Sequence, residues 1–227
     1  MEDPTFATRV CIRNYKSIAF CDVHLGQLIF IVGPNGSGKS NFLDALRLVG
    51  EALRTSLDHA LRERSGIREV RRRSSGHPTH FRIHIEFRLK SGLRGHYAFQ
   101  IGARPKGGYE VQVEECVVRG PELLTNESFF QVQSGKVVKC SVAVAPPAAI
   151  DRLYLVNAAG LPQFRPVYEA FSRMGFYNLN PKEIRELQPP DAGDLLKRDG
   201  SNIGSVLGQL TNGNPAAKKR IEEYLEA

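Results

Sequence analysis

The stretch Gly33-Pro34-Asn35-Gly36-Ser37-Gly38-Lys39-Ser40 constrains this chain more than any other. It stands between the apolar run Leu28-Ile29-Phe30-Ile31-Val32 and a long amphipathic segment that begins near Lys39. The spacing G-x-x-x-x-G-K-[ST] in that context predicts a buried strand, a glycine-rich loop and a helix. Successive backbone N–H groups of such a loop form a concave nest for an anion, and side chains larger than hydrogen would block its approach. The helix N-terminus adds unpaired N–H groups and the positive end of its dipole. Gly33, Pro34, Asn35, Gly36, Ser37, Gly38, Lys39, Ser40 and Asn41 are the expected binding set. Lys39 would reach the β- and γ-phosphates as a point charge, and the Ser40 hydroxyl would ligate Mg²⁺. The loop therefore predicts a site for ATP with Mg²⁺.

The 227 residues suffice for one large domain or two small lobes. No run of about 18 apolar residues occurs, so no membrane-spanning helix is expected. Met1-Glu2-Asp3-Pro4 is acidic and has no apolar core, which is unlike a secretory signal. Cys11, Cys21, Cys116 and Cys140 show no C-x-x-C spacing. They read as reduced, buried strand residues of a cytoplasmic protein.

Net charge is +7, and one segment supplies it. Residues 61–96 hold ten basic side chains against Glu63, Glu69 and Glu86, while the remainder of the chain is balanced. Such a patch suits a polyanion, either nucleic-acid backbone or the phosphates of a bound nucleotide. A solvated face is the plainer alternative.

Along the chain, residues 5–14 and 18–25 read as strands joined by the turn Tyr15-Lys16-Ser17, and residues 27–32 as a third strand feeding the loop. From Lys39 a single helix is expected up to Ser65-Gly66, since Phe42, Leu46, Val49, Leu53, Leu57 and Ala60 recur at steps of three and four. Residues 68–77 look like an exposed basic loop. After Pro78 the period changes to two: Phe81, Ile83, Ile85, Phe87 and Leu89 alternate with His80, Arg82, His84, Glu86 and Arg88. With residues 97–101, 109–118, 129–133 and 137–144 they form an antiparallel meander, one face buried and one wet. His80 and His84 lie roughly 13 Å apart on such a strand and cannot share one metal ion. Residues 143–149 are a linker, Leu153 to Val156 a short strand, and Phe164 to Met174 a helix. A turn led by Pro181 follows. Then come an apolar helix through Ile203, Val206, Leu207 and Leu210, and a last helix opened by Asn214-Pro215. The chain stops inside that helix at Ala227, as expected of a cut.

ATP hydrolysis by a P-loop protein needs a second element, an apolar strand ending in Asp or Asp-Glu. Val111-Gln112-Val113-Glu114-Glu115 comes nearest, but its alternation marks an antiparallel strand. No LSGGQ-like stretch occurs either. The chain is expected to carry the binding half of a site without the hydrolytic half.

Four segments bear a resemblance: Ile12-Arg13-Asn14-Tyr15-Lys16-Ser17-Ile18, the loop Gly33 to Asn41, Phe176-Tyr177-Asn178-Leu179-Asn180-Pro181, and Leu196-Lys197-Arg198-Asp199-Gly200-Ser201-Asn202-Ile203. Together they resemble the ABC-type ATPase heads of the RecF/SMC class, and within it the bacterial AAA-family ATPases related to the OLD group. The resemblance implies an α/β (α+β) fold, the first lobe of a head, with a P-loop half-sheet beside an antiparallel meander and C-terminal helices. It implies three parts: residues 1–64 with the P-loop, 65–145 with the basic loop and meander, and 146–227 helical. It further implies ATP-driven head-to-head dimerisation, completion by the C-terminal half of the same head, and action with DNA in repair, genome maintenance or phage defence. Arg71, Arg72 and Arg73 would face nucleotide or DNA, and Arg13, Asn14 and Lys16 the base or phosphates. The Mg²⁺-coordinating glutamine is not assignable; Gln163 and Gln188 are options. Two other functions fit the motif: a non-hydrolysing, nucleotide-dependent interaction module, and a P-loop small-molecule kinase. The kinase would require alternating βαβ units, which the meander opposes.

Overall fold

Period-two alternation builds the middle of the molecule. Phe81, Ile83, Ile85 and Phe87 of β3 (His80–Arg88) are buried on one face, and β3 pairs with β4 (Arg94–Ala103) along its whole length. Beyond β4 lie β5 (Tyr109–Arg119), β6 (Ser128–Gln133) and β7 (Lys136–Cys140). The computed structural model describes residues 6–74, 78–120 and 127–226. Thr5 of the expected first strand, His77 with the rest of residues 75–77, and Ala227 lie outside the described residues. The chain divides into two compact units, Met1–Met174 and Gly175–Ala227.

In the first unit, β1 (Ala7–Tyr15) and β2 (Ile18–His24) join the meander. The result is one seven-stranded sheet, ordered β2-β1-β3-β4-β5-β6-β7, with every pairing antiparallel. This corrects the expectation of a separate P-loop half-sheet. Val10 and Ile12 share the apolar period of Ile83 and Ile85, so β1 seats its buried face beside that of β3. Fold class is thus mixed α and β around an antiparallel sheet.

Helices cover one face. The apolar stripe of α1 (Lys39–Arg54) buries Phe42, Ala45, Leu48, Val49, Ala52 and Leu53. Contrary to the single helix expected, the chain breaks at Thr55 and Ser56, and α2 (Leu57–Arg62) starts afresh with the Ser56 hydroxyl accepting from the His59 N–H. Leu57 and Ala60 stay buried because the break preserves their side of the stripe. A short helix, α3 (Ile67–Val70), replaces the start of the expected basic loop. The stretch Leu153 to Val156 is not a strand: α4 (Tyr154–Ala158) forms there, and α5 (Arg165–Ser172) follows. Phe171 of α5 meets Phe6, Phe87 and Tyr97 with ring centroids 4.9, 5.9 and 5.5 Å away, and Phe130 meets Tyr154 and Phe164 at 4.9 and 5.2 Å. These edge-on and tilted contacts add to area burial and pin α4 and α5 to the sheet.

The second unit contains α6 (Pro181–Arg185), α7 (Ile203–Gly213) and α8 (Pro215–Glu226). The N–H groups of Asn178 and Asn180 donate to the carbonyls of Arg198 and Asp199, both at 2.8 Å. Asn202 is buried, donating to Asp191 and the Leu195 carbonyl and accepting from the Lys197 N–H. Among the described residues no helix is long and apolar enough to cross a membrane.

Candidate nucleotide site

Two glycines shape the loop ahead of α1. Gly36 and Gly38 have φ of +82° and +95°, left-handed conformations that cost side-chain-bearing residues energy. A Cβ on Gly38 would sit 3.3 Å from Ser17 Oγ, so the loop also packs tightly on the β1–β2 turn. Lys39 bends back over the loop, its Nζ donating to the carbonyls of Gly33 and Pro34 at 2.6 and 2.8 Å. Ser40 is exposed in the first turn of the helix, and Asn41 Nδ2 donates to Ser17 Oγ at 2.7 Å. The result is an exposed glycine hairpin with an ammonium across its mouth and a hydroxyl beside it. The donor set fits a triphosphate and its hard divalent cation: amides and Lys39 for phosphate oxygens, Ser40 for Mg²⁺.

The turn next to the loop is held rigidly. Asn14 and Lys16 adopt φ of +57° and +46°. Lys16 N–H donates to the Val70 carbonyl at 2.7 Å, Arg72 N–H to the Asn14 carbonyl at 2.7 Å, and Tyr15 bridges Arg71 in antiparallel fashion. Arg72 Nη1 reaches the Ser17 carbonyl at 2.5 Å. Arg71 donates to the Pro78 carbonyl while its buried Nε has no partner among the described residues, and Arg73 pairs with Glu69. Of these three arginines, Arg72 is the one whose side chain bonds the turn beside the loop. Arg13 lies on the sheet face opposite Ile12, its guanidinium 5.5 Å above the Phe20 ring.

Sequence inspection missed the cluster beneath the turn. Asp44, in the second turn of α1, accepts from Lys16 Nζ at 2.5 Å, Tyr15 OH at 2.8 Å and Arg64 Nη2 at 3.0 Å. Arg64 also reaches Glu51 at 2.6 Å, which Arg47 holds at the same distance. Burial raises the Asp44 carboxyl, but the Lys16 hydrogen bond and the Arg64 charge outweigh it and leave Asp44 below the usual carboxylate range. Burial, then the Asp44 charge, push the Tyr15 phenol well up. Lys16 is therefore committed to Asp44, positioning the turn. The signal was faint: three charges far apart in sequence, with only Arg47 and Glu51 at i, i+4.

The segment entering the loop corrects another expectation. Residues 28–32 are not a buried strand. Leu28, Phe30 and Val32 are 75, 80 and 86 % exposed, against 38 and 39 % for Ile29 and Ile31. The exposure alternates as in a strand, yet no strand among the described residues pairs with it.

Residues 28–128 match the family model described as AAA domain, putative AbiEii toxin, Type IV TA system. Over 44 residues the chain is 41 % identical to the DNA replication and repair protein RecF of Aliivibrio fischeri (strain ATCC 700601 / ES114). The same identity over the same length relates it to RecF of Vibrio parahaemolyticus and of Vibrio cholerae. Each match covers 19 % of this chain and 12 % of the relative, so the similarity spans a small part of those proteins. A solved structure described as "Structural biochemistry of ATP-driven dimerization and DNA stimulated activation of SMC ATPases" aligns over 51 % of this chain and 70 % of its own. Its TM-score is 0.35 and its sequence identity 20 %.

Proposed function

We propose that this chain carries an ABC/AAA-type ATPase domain of the RecF/SMC class and grips the triphosphate of ATP·Mg²⁺ in the loop Gly33 to Ser40. The observation that carries the proposal is the Lys39 ammonium over the Gly33 and Pro34 carbonyls at the mouth of α1. When triphosphate enters, Lys39 exchanges those two carbonyls for phosphate oxygens, and the loop amides close on the anion. Ser40 offers its hydroxyl to the cation, whose charge offsets that of the β- and γ-phosphates. Asn41, through Ser17, fixes the loop against the β1–β2 turn. Arg72, already at the Ser17 carbonyl, stands beside that turn for a phosphate contact.

The strand-like residues 28–32 support a further part of the proposal: the core sheet of the ATPase is completed by strands from the C-terminal half of the head. ATP then joins two such heads, and the assembly acts with DNA. The 227 residues alone bind nucleotide and turn it over little. The exposed edge equally favours the alternative of a nucleotide-dependent interaction module without turnover.

Titration of a fluorescent ATP analogue with and without Mg²⁺ tests the reading. Lys39→Ala removes a charge-assisted contact and should weaken binding about ten- to a hundredfold. Equal affinity of the parent and Lys39→Ala would refute the loop as the site.

A further inference from the structure

Within the first unit, helices α1 to α5 leave the second face of the sheet open, and the strand registers place its side chains in rungs. One rung runs Phe20–Arg13–Arg82 across β2, β1 and β3. Another runs Arg88–Arg94–Arg119 across β3, β4 and β5. Arg82 and Arg88 are six residues apart on one strand, so the two rungs lie about 20 Å apart. Between them the acids are already taken: Arg9 holds Asp22 at 2.6 Å and Glu86 at 3.0 Å, and Arg82 holds Glu115 at 2.7 Å. Arg119 reaches Glu127 at 2.6 Å. Among the described residues no carboxylate lies within ion-pair distance of Arg13, Arg88 or Arg94.

Like charges set directly opposite one another destabilise a sheet. Here they occur at both ends of the same face, Arg13 beside Arg82 and Arg94 between Arg88 and Arg119. The second rung borders a hollow of about 350 Å³ that Thr8 and His96 also line. Phe20 projects from the first rung, 59 % exposed, on a second hollow of about 320 Å³. Mid-face, the rings of His84 and His96 stack at 5.0 Å. Burial lowers the pKa of both, so they present flat neutral rings at neutral pH.

We infer that this open sheet face is a track for single-stranded nucleic acid, with a base stacked on Phe20 and the backbone phosphates held by Arg13, Arg88 and Arg94. Cation rungs at either end of a face that carries the exposed Phe20 ring and the half-buried His84–His96 stack combine the two elements that single strands use, charge for backbone and aromatic faces for bases. A duplex keeps its base faces covered, and its major groove admits a helix or a two-stranded ribbon rather than a broad sheet. The inference rests on the nucleic-acid part of the proposed function and is independent of the nucleotide loop.

The test is fluorescence anisotropy of a labelled oligothymidylate with the full chain, against a blunt duplex of equal length, over a salt series. ATP-analogue binding is measured in parallel for every variant. The single strand should bind more tightly than the duplex. Phe20→Ala should lose about five- to a hundredfold in affinity with the salt slope kept, and Phe20→Tyr should restore it. Arg88→Gln with Arg94→Gln should reduce the slope of log K against log salt by about 1.4, that is about 0.7 per phosphate contact. Equal binding of duplex and single strand would overturn the inference. So would parent-like binding by both the Phe20 and the arginine variants, or no oligonucleotide binding by a chain that binds the ATP analogue. Lys39→Ala should leave oligonucleotide binding intact while nucleotide binding falls. Loss of both in that variant alone would sink the separation of the two sites.

Discussion

Glu114 on β5 accepts a 2.8 Å hydrogen bond from the N–H of Leu155, in the first turn of α4, at a position with no access to solvent. The same carboxyl takes the Tyr154 N–H at 2.5 Å and the Tyr97 hydroxyl at 2.9 Å, tying the segment after the linker to the sheet. Burial raises this group against the pull of its three donors, and its pKa is pushed up to about 7. The folded chain therefore keeps a proton there that the unfolded chain releases above about 4.5. Between about pH 4.5 and 7 the native state binds more protons, so this group's contribution to stability falls as pH rises. The loss totals roughly 3 kcal/mol at about 1.4 kcal/mol per unit. Glu114→Gln cannot titrate, and urea unfolding across that window should show the slope flattened. An unchanged slope in the variant would assign the titration elsewhere.

The Asp44–Arg64 pair predicts an effect of another sign. Arg64 is 4 % exposed and serves two carboxylates. Removing one member of such a buried set leaves the other charges uncompensated, which costs about 3–5 kcal/mol. Arg64→Ala should lower stability by that amount, whereas Arg62→Ala, whose ion pair with Asp58 is exposed, should cost less than about 1 kcal/mol. Asp44 and Glu51 are both held below their ordinary values. Their contribution is present above the unfolded carboxylate pKa and drains as pH drops below about 4. Chemical denaturation of both variants at neutral and acid pH decides the matter.

The sequence shows these relationships unevenly, for physical reasons. Period two in Phe81 to Leu89 and the three-four spacing of Phe42 to Leu53 report which side of each element is buried, and β3 and α1 form where they indicate. Spacing carries no information about a break that keeps the stripe in phase, so the restart at Ser56 was hidden. Leu153 to Val156 is too short for its period to separate strand from helix. The run Leu28 to Val32 reads as buried because apolar residues usually are, but burial needs a partner. Arg71 to Arg73 look like a free basic loop, although the backbone on either side of Arg71, the Val70 carbonyl and the Arg72 N–H, is bonded to Lys16 and Asn14 far earlier in the chain. The resemblance segments Phe176 to Pro181 and Leu196 to Ile203 are brought together by backbone hydrogen bonds, a relationship no local pattern encodes.

Gly38 offers a sharper probe of the loop than its lysine does. At φ +95° an alanine strains the backbone by roughly 1–2 kcal/mol, and its Cβ would press Ser17 Oγ. Gly38→Ala should destabilise the fold by about that amount and weaken ATP-analogue binding. Gly26→Ala, where an added Cβ meets nothing within 4 Å, should stay within about 0.5 kcal/mol of the parent and bind normally. Thermal melts with and without nucleotide separate the two effects, and identical melts for both variants would contradict the strained-loop description.

Residues 28–32 carry the last prediction. An apolar strand-like segment with no pairing strand among the described residues is a template for another chain's edge. Concentrated protein should therefore self-associate through it. Phe30 is 80 % exposed, so replacing it with lysine removes no packing from the core and places a charge on the open segment. In sedimentation velocity the weight-average coefficient of the parent should climb with concentration, and that of Phe30→Lys should stay flat. Nucleotide affinity should change little, because Gly33 to Ser40 are intact. Should both proteins sediment alike at every concentration, the segment is not a pairing edge, and the proposed completion of the sheet by further strands loses its structural support.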